Sequence, residues 1–295
     1  MKTITFFSEK GGVGKSTFAI MYASWLKYKH GVNVALADFN FRIDAYRADE
    51  IAEREKLIKN NPEIKPFDIA AAWPIVTAET KQINEIKDRY GREVNAYVEW
   101  FREKTYNYEG LKKYDIVICD FPGALSGGEY SGLAMGNFLN LTVIPVERDA
   151  MTLKSTEKLN KILTSIKANY CMFLTKARLE LVNLRKPYMQ LANDLLNKLR
   201  WPLLPDIVSY SERIRSLEKV ENIRSTFGFP NFEAPEWGNS KDLGIENLFI
   251  DITKELDKTA DLQKTKEANL DFVYGLKKVD DGRNIHGTKF PEYEI

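Results

Sequence analysis

The chain has 295 residues, enough for one large domain or two small ones at roughly 150 residues each. Lys plus Arg number 43 against 42 Asp plus Glu, so no global field draws the chain to nucleic acid or acidic membrane; such a surface would have to be a local patch. Two cysteines and two histidines exclude a disulfide framework, a cysteine metal cluster and histidine-based zinc or nucleophilic chemistry, and no apolar run reaches the roughly 18–20 residues that cross a bilayer.

In chain order, a strand at Ile4–Phe7 runs into a glycine-rich loop and a helix over Ser16–Lys29. A strand over Val32–Ala37 follows. Residues 47–112 are long and charged, with helices over Ala48–Asn60 and Glu79–Lys104 and a short strand candidate at Phe67–Ala72. This stretch reads as a helical elaboration of the same domain, its Tyr97, Trp100 and Phe101 packing against the sheet. Strands at Ile116–Cys119, Leu141–Val146 and Cys171–Leu174 then alternate with helices over Thr152–Lys167 and Leu179–Leu199. Ile207–Val208 is a weaker last strand, before helices over Ser211–Arg224 and Glu246–Asp261.

Most of these strands lack polar alternation, as strands covered on both faces do. Alternation with helices of this length predicts an α/β fold with a doubly wound, mainly parallel sheet flanked by helices. Ligands of such sheets bind at the strand C-termini. A single domain over 1–263 and an irregular tail over 264–295 are expected, in a cytoplasmic, reduced protein.

The strongest motif is Glu9-Lys10-Gly11-Gly12-Val13-Gly14-Lys15-Ser16-Thr17, directly after a strand and opening a helix. Glycines let the backbone curl with its N–H groups inward, and the helix adds its positive end, so the loop suits a phosphate chain. Lys15 can reach the β- and γ-phosphates, and Ser16 can place its hydroxyl on Mg²⁺. A second acid-bearing element is Tyr114-Asp115-Ile116-Val117-Ile118-Cys119-Asp120-Phe121-Pro122-Gly123, an apolar strand ending in Asp120, which would hold Mg²⁺ through water.

The loop resembles the deviant Walker A motif of the ParA/MinD family of P-loop ATPases, and Asp120 the family's Walker B acid. The resemblance implies a P-loop fold, ATP and Mg²⁺ as ligands, and a nucleotide-sandwich homodimer in which Lys10 touches the partner's phosphates. Such an ammonium would stabilise transition-state charge as an arginine finger does. It further implies that Thr175-Lys176, where the family carries Asn-Lys or Asn-Arg, and the segment at Leu204-Pro205 lie beside the adenine. Val143 to Asp149 resembles the strand, proline and loop that follow Walker B, and these landmarks keep the family's order over residues 2–224.

One motif departs. Where relatives read Asp-x-Asp-Pro-Gln, this chain has Asp38-Phe39-Asn40-Phe41-Arg42. Asp38 keeps the first acid, beside the Mg²⁺, and Asp44 stands nearby as a substitute for the second. Asn40 can position a water but cannot accept a proton, so ATP binding with slow turnover is expected. The resemblance offers a ParA-like partition or conjugative-element switch, whose ATP dimer binds DNA nonspecifically and answers to a stimulatory partner protein. Basic candidates for DNA are Lys176, Arg178, Arg185, Lys186, Arg213, Arg215, Lys219 and Arg224. The alternatives are a MinD-like membrane switch, for which the terminus at 286–295 lacks a basic amphipathic helix, and a non-hydrolysing ATP-dependent scaffold.

Overall fold

The computed structural model describes residues 1–60, 73–77, 80–90, 96–97, 99–100, 109–123, 138–177, 182–209 and 245–274. Seven parallel strands form one sheet: β1 (Lys2–Phe6), β2 (Val34–Asp38), β3 (Ile75–Thr77), β4 (Ile116–Asp120), β5 (Leu141–Val146), β6 (Tyr170–Ala177) and β7 (Leu203–Ser209). Their order is β3-β2-β4-β1-β5-β6-β7. The chain winds outward on both sides of β1, so the strand order reverses around it, where sheets of this kind hold ligands.

Helices α1 (Lys15–His30), α2 (Ile43–Asn60), α3 (Thr80–Tyr90), α4 (Glu109–Lys112), α5 (Ala150–Ser165), α6 (Val182–Asn193) and α7 (Ile245–Tyr274) connect and cover the strands. A π-helical turn, Asp194–Lys198, continues α6. Alternate residues of each central strand enter opposite cores. Ile116 and Ile118 of β4 face α1 and α7, beside Phe18, Tyr22, Trp25, Phe249 and Ile252. Val117 and Cys119 face the other layer, with Trp100, Leu159, Leu163 and Trp201. Both cysteines are buried and free, with thiols pushed well up by burial, so neither offers redox or metal chemistry.

Pro145 sits in an interior strand, normally a forbidden place. The reason is local. Pairing of β5 with β1 ends at Phe6↔Val143, and Phe7 donates its N–H to the Val143 carbonyl at 2.9 Å. The N–H that Pro145 lacks would therefore face the region where β1 has ended and the loop begins.

Three expectations change. Residues 47–112 hold a strand beyond the candidate at Phe67–Ala72: β3 pairs in parallel with β2 at the sheet edge, Leu36↔Ile75 to Asp38↔Thr77. Only three residues long and led by Pro74, it carries too little pattern to be read beforehand. The last helix runs to Tyr274, so residues 264–274 are helical rather than part of an irregular tail. No Gly or Pro interrupts that stretch, and the first breaker is Gly275. The weak strand at Ile207–Val208 is a seven-residue one. The strand candidate at Phe67–Ala72, the helix over Ser211–Arg224 and residues 275–295 lie outside the described residues. Tyr97 and Trp100 do pack against the sheet: Trp100 lies edge-on to Phe39 at 4.9 Å and Tyr97 at 5.8 Å. No described helix is long and apolar enough to cross a membrane.

Candidate functional site

The loop between β1 and α1 stands at the strand-order reversal. Gly12 (φ 77°) and Gly14 (φ 93°) take left-handed backbone that side chains rarely adopt, and that curl turns the loop back into α1. Val13 anchors it from below, fully buried. Gly14 caps α1 without any side-chain hydrogen bond, and the first turn contains no acid. The helix therefore presents bare N–H groups and its positive end, a ready anion site. A Cβ on Gly11 or Gly12 would meet nothing within 4 Å, so the loop's outer side is open.

Lys15 is buried, and its ammonium donates to the Lys10 carbonyl at 3.0 Å. Burial lowers its pKa, against a smaller opposing pull from Asp120. A poorly solvated ammonium beside an open cradle is short of an anion. Gly123 closes the floor: a Cβ there would stand 3.1 Å from the Lys15 Nζ and 3.4 Å from the Glu9 and Ser8 carbonyl oxygens.

Parallel register brings Asp38 of β2 opposite Asp120 of β4, so two acids end adjacent strands side by side. The residues after them, Phe39 and Phe121, stack at 4.5 Å and fix that pairing from the other layer. Asp38 is fully buried and spoken for by its own loop. Its Oδ1 accepts the Asn40 N–H at 2.9 Å and its Oδ2 the Ile43 N–H, at the start of α2, at 2.8 Å. Burial raises its pKa, opposed by those N–H bonds. The same wrapping holds Phe41 at φ 58°, in left-handed backbone, with its ring partly exposed.

Asp120 is arranged differently. Its Oδ2 accepts the Ser16 hydroxyl at 2.8 Å and the Asn40 amide at 3.3 Å. Its Oδ1 is buried and has no hydrogen-bond partner among the described residues. Burial pushes its pKa up to about 6, against the Ser16 bond. An orphaned carboxylate oxygen beside a serine hydroxyl fits Mg²⁺. No group of three or more His, Cys, Asp or Glu side chains is placed to cage a metal among the described residues. Ser16 and Asp120 thus match an ion that takes its remaining ligands from phosphate and water. Asp44 is turned elsewhere, to the Thr77 hydroxyl and to Arg47, so it does not replace the second acid.

Lys10 turns toward the β5 end of its own chain. Its ammonium pairs with Asp149 at 2.7 Å and Glu147 at 3.2 Å. The Asp149 hydrogen bond, with that of Glu147, raises its pKa despite some desolvation. Burial would lift the Asp149 carboxyl, but Lys10 and the Thr152 N–H and hydroxyl together drive it far below its usual range. Lys176, held at φ 57°, reaches back to the Gly12 carbonyl and pairs with the other oxygen of Glu147.

The site thus gathers Lys10, Gly12, Gly14, Lys15, Ser16, Asp38, Asn40, Asp120 and Lys176. Thr175 is buried on β6, and Pro205 is exposed on the edge strand β7; neither is joined to the loop by a described hydrogen bond. Of the basic candidates for DNA, Lys176 faces the loop, Lys186 is exposed on α6 and Arg185 precedes it on that helix, while the others lie outside the described residues. Glu147 and Asp149 escaped the sequence reading as site residues. The available signal was an acid-x-acid following a strand beside β1, with Asp149 three residues before Thr152 as a helix cap.

A family model described as AAA domain matches residues 1–179. No curated protein matches the chain. Among solved structures, the chain is similar to a putative plasmid partition protein from Borrelia burgdorferi B31 bound to AMPPNP. The identity is 19%, over 85% of this chain and 98% of that one, with a TM-score of 0.55. It is also similar to the MinD cell division protein of Aquifex aeolicus, at 18% identity over 84% and 96% of the two chains, TM-score 0.52. The pnob8 ParA structure matches at 15% identity over 89% and 99%, TM-score 0.51. At such identities the likeness is one of fold.

Proposed function

Since this chain belongs to the AAA-domain family, with the fold of ParA- and MinD-type P-loop ATPases, we propose that it is an ATP-dependent dimerisation switch of the partition type. The observation that carries the reading is the uncapped, acid-free start of α1, set against a buried Lys15 and the Ser16–Asp120 contact. ATP is the substrate. The loop N–H groups and Lys15 bind and orient its phosphates, and the floor at Gly123 keeps the ammonium in place. Ser16 and Asp120 would hold Mg²⁺, which when bound neutralises phosphate oxygens. Asn40 orients the attacking water without taking its proton, so turnover is slow. Lys10 acts on the nucleotide of the second copy, adding positive charge where the transition state gathers negative charge.

The partition role includes nonspecific DNA binding by the ATP dimer and a protein that stimulates turnover. Its support is the fold shared with plasmid partition proteins and the open phosphate cradle. Mobility shifts on nonspecific DNA, with and without ATP and Mg²⁺ at two salt concentrations, test it. An ATP-dependent shift weakening steeply with salt is expected. DNA left unshifted in the presence of an ATP-dependent dimer removes the DNA role and leaves the switch. A second reading, a scaffold that ATP holds together without being cleaved, draws on Asn40 alone. Phosphate release measured beside dimerisation separates the two.

A further inference from the structure

Lys10 is the residue that the proposed switch must send across to a second copy, yet in the free chain it is engaged at home. Asp149 and Glu147 both hold its ammonium. The two acids have further duties. Asp149 caps α5, its Oδ1 accepting the Thr152 N–H at 3.0 Å. Glu147 divides its carboxylate: Oε2 faces Lys10 and Oε1 faces Lys176, whose own ammonium also reaches the Gly12 carbonyl. The two lysines flanking the cradle thus share one carboxylate.

We infer that Glu147 and Asp149 are positioning residues that latch Lys10 onto its own subunit, so that dimerisation must extract it. The inference rests on the dimer-switch reading and adds its regulation. Lys10 faces two carboxylates, one of them shared with Lys176, and a competing site must offer it more negative charge than these do. The terminal phosphoryl group of ATP does so, and ADP lacks it. The latch therefore makes release of Lys10 selective for the triphosphate, and it sets the concentration at which two copies associate.

The test removes the charges and keeps the shapes. Asn remains a good helix cap, so Asp149→Asn spares the start of α5, and Glu147→Gln keeps the side-chain length. The double variant and the wild type are compared by sedimentation with AMPPNP and Mg²⁺, and by the rate at which an acylating reagent modifies Lys10 in the nucleotide-free monomer. The double variant is expected to dimerise at about three- to tenfold lower protein concentration, the effect of losing the two partly exposed ion pairs that hold Lys10. Its Lys10 reacts several-fold faster, and adding Lys10→Gln abolishes the gain in association. A variant that dimerises no better than the wild type, or less well, overturns the latch, as does an unchanged acylation rate. A wild type that stays monomeric with AMPPNP at every concentration defeats the dimer-switch reading instead, and the acylation rates still decide whether Lys10 is latched.

Discussion

Asp38 and Asp120 are register partners on adjacent parallel strands, two buried acids side by side, and the chain treats them in opposite ways. Both oxygens of Asp38 are taken up by backbone N–H groups of the loop that starts α2. One oxygen of Asp120 serves Ser16 and Asn40 while the other has no described partner. The first acid builds the loop, and the second keeps one buried oxygen without a described partner.

That difference predicts opposite mutational behaviour. Asp38→Ala leaves the buried Ile43 N–H and the partly buried Asn40 N–H without their acceptor and is expected to cost about 2–4 kcal/mol of stability. Chemical denaturation of the nucleotide-free protein measures it. A loss below the error of that method would show that water takes over both bonds.

Asp120 sets a pH dependence whose sign is unusual for an acid. Its pKa in the folded, metal-free chain is about 6, raised by burial, against about 4 when unfolded. Between those values the native state holds a proton that the unfolded chain has released. Stability from this group is present below pH 4 and lost as pH rises through 6, by up to about 3 kcal/mol. Asp120→Asn, which cannot ionise, should therefore be more stable than the wild type at pH 7 and equal to it near pH 4. Thermal melts of the metal-free proteins across that range check both ends, and binding of Mg²⁺-nucleotide should be lost in the same variant.

Gly123→Ala tests the floor of the cradle. The new methyl group would crowd the Lys15 ammonium at 3.1 Å, while the Glu9 and Ser8 carbonyl oxygens at 3.4 Å stand at ordinary contact distance. The lysine, the flexible end of a side chain, is the neighbour that gives way, and the backbone around it need not move. Displacing the ammonium should weaken triphosphate binding about tenfold or more, a loss of roughly 1.4 kcal/mol, with little change in melting temperature. Titration calorimetry with AMPPNP reads it, and unchanged affinity would mean that Lys15 contacts phosphate from its displaced position equally well.

What could be read beforehand divides along physical lines. The central strands carry their own signal, because a strand covered on both faces must be apolar throughout, as Val34–Asp38 and Ile116–Asp120 largely are. The loop was legible because left-handed glycines, a lysine and a hydroxyl have to be contiguous there. β3 was not, since three residues owe their extended form to pairing with β2 rather than to any pattern of their own. The Lys10 engagement with Glu147 and Asp149 spans more than 130 positions. It depends on β5 lying next to β1, which only the sheet order reveals. The far end of α7 carries no amphipathic pattern to mark it as helix, and it stays helical because its residues contain no breaker before Gly275.

Asn40→Asp should push stability and turnover in opposite directions. In the free chain the Asn40 amide donates to Asp120 at 3.3 Å, and a carboxylate there would instead face a second one across the same gap. The nucleotide-free variant should lose about 1–2 kcal/mol, the bond being replaced by repulsion between partly buried like charges. With ATP and Mg²⁺ present the cation offsets that repulsion, and the new carboxylate can accept the proton of the attacking water. Phosphate release is then expected to rise by about 10²-fold or more, in the range of a positioned general base. Steady-state release measured beside a denaturation curve separates the two effects. A variant destabilised as expected but no faster would mean that Asn40 does not limit turnover, and the slow step would then lie in the supply of Lys10 from the second copy.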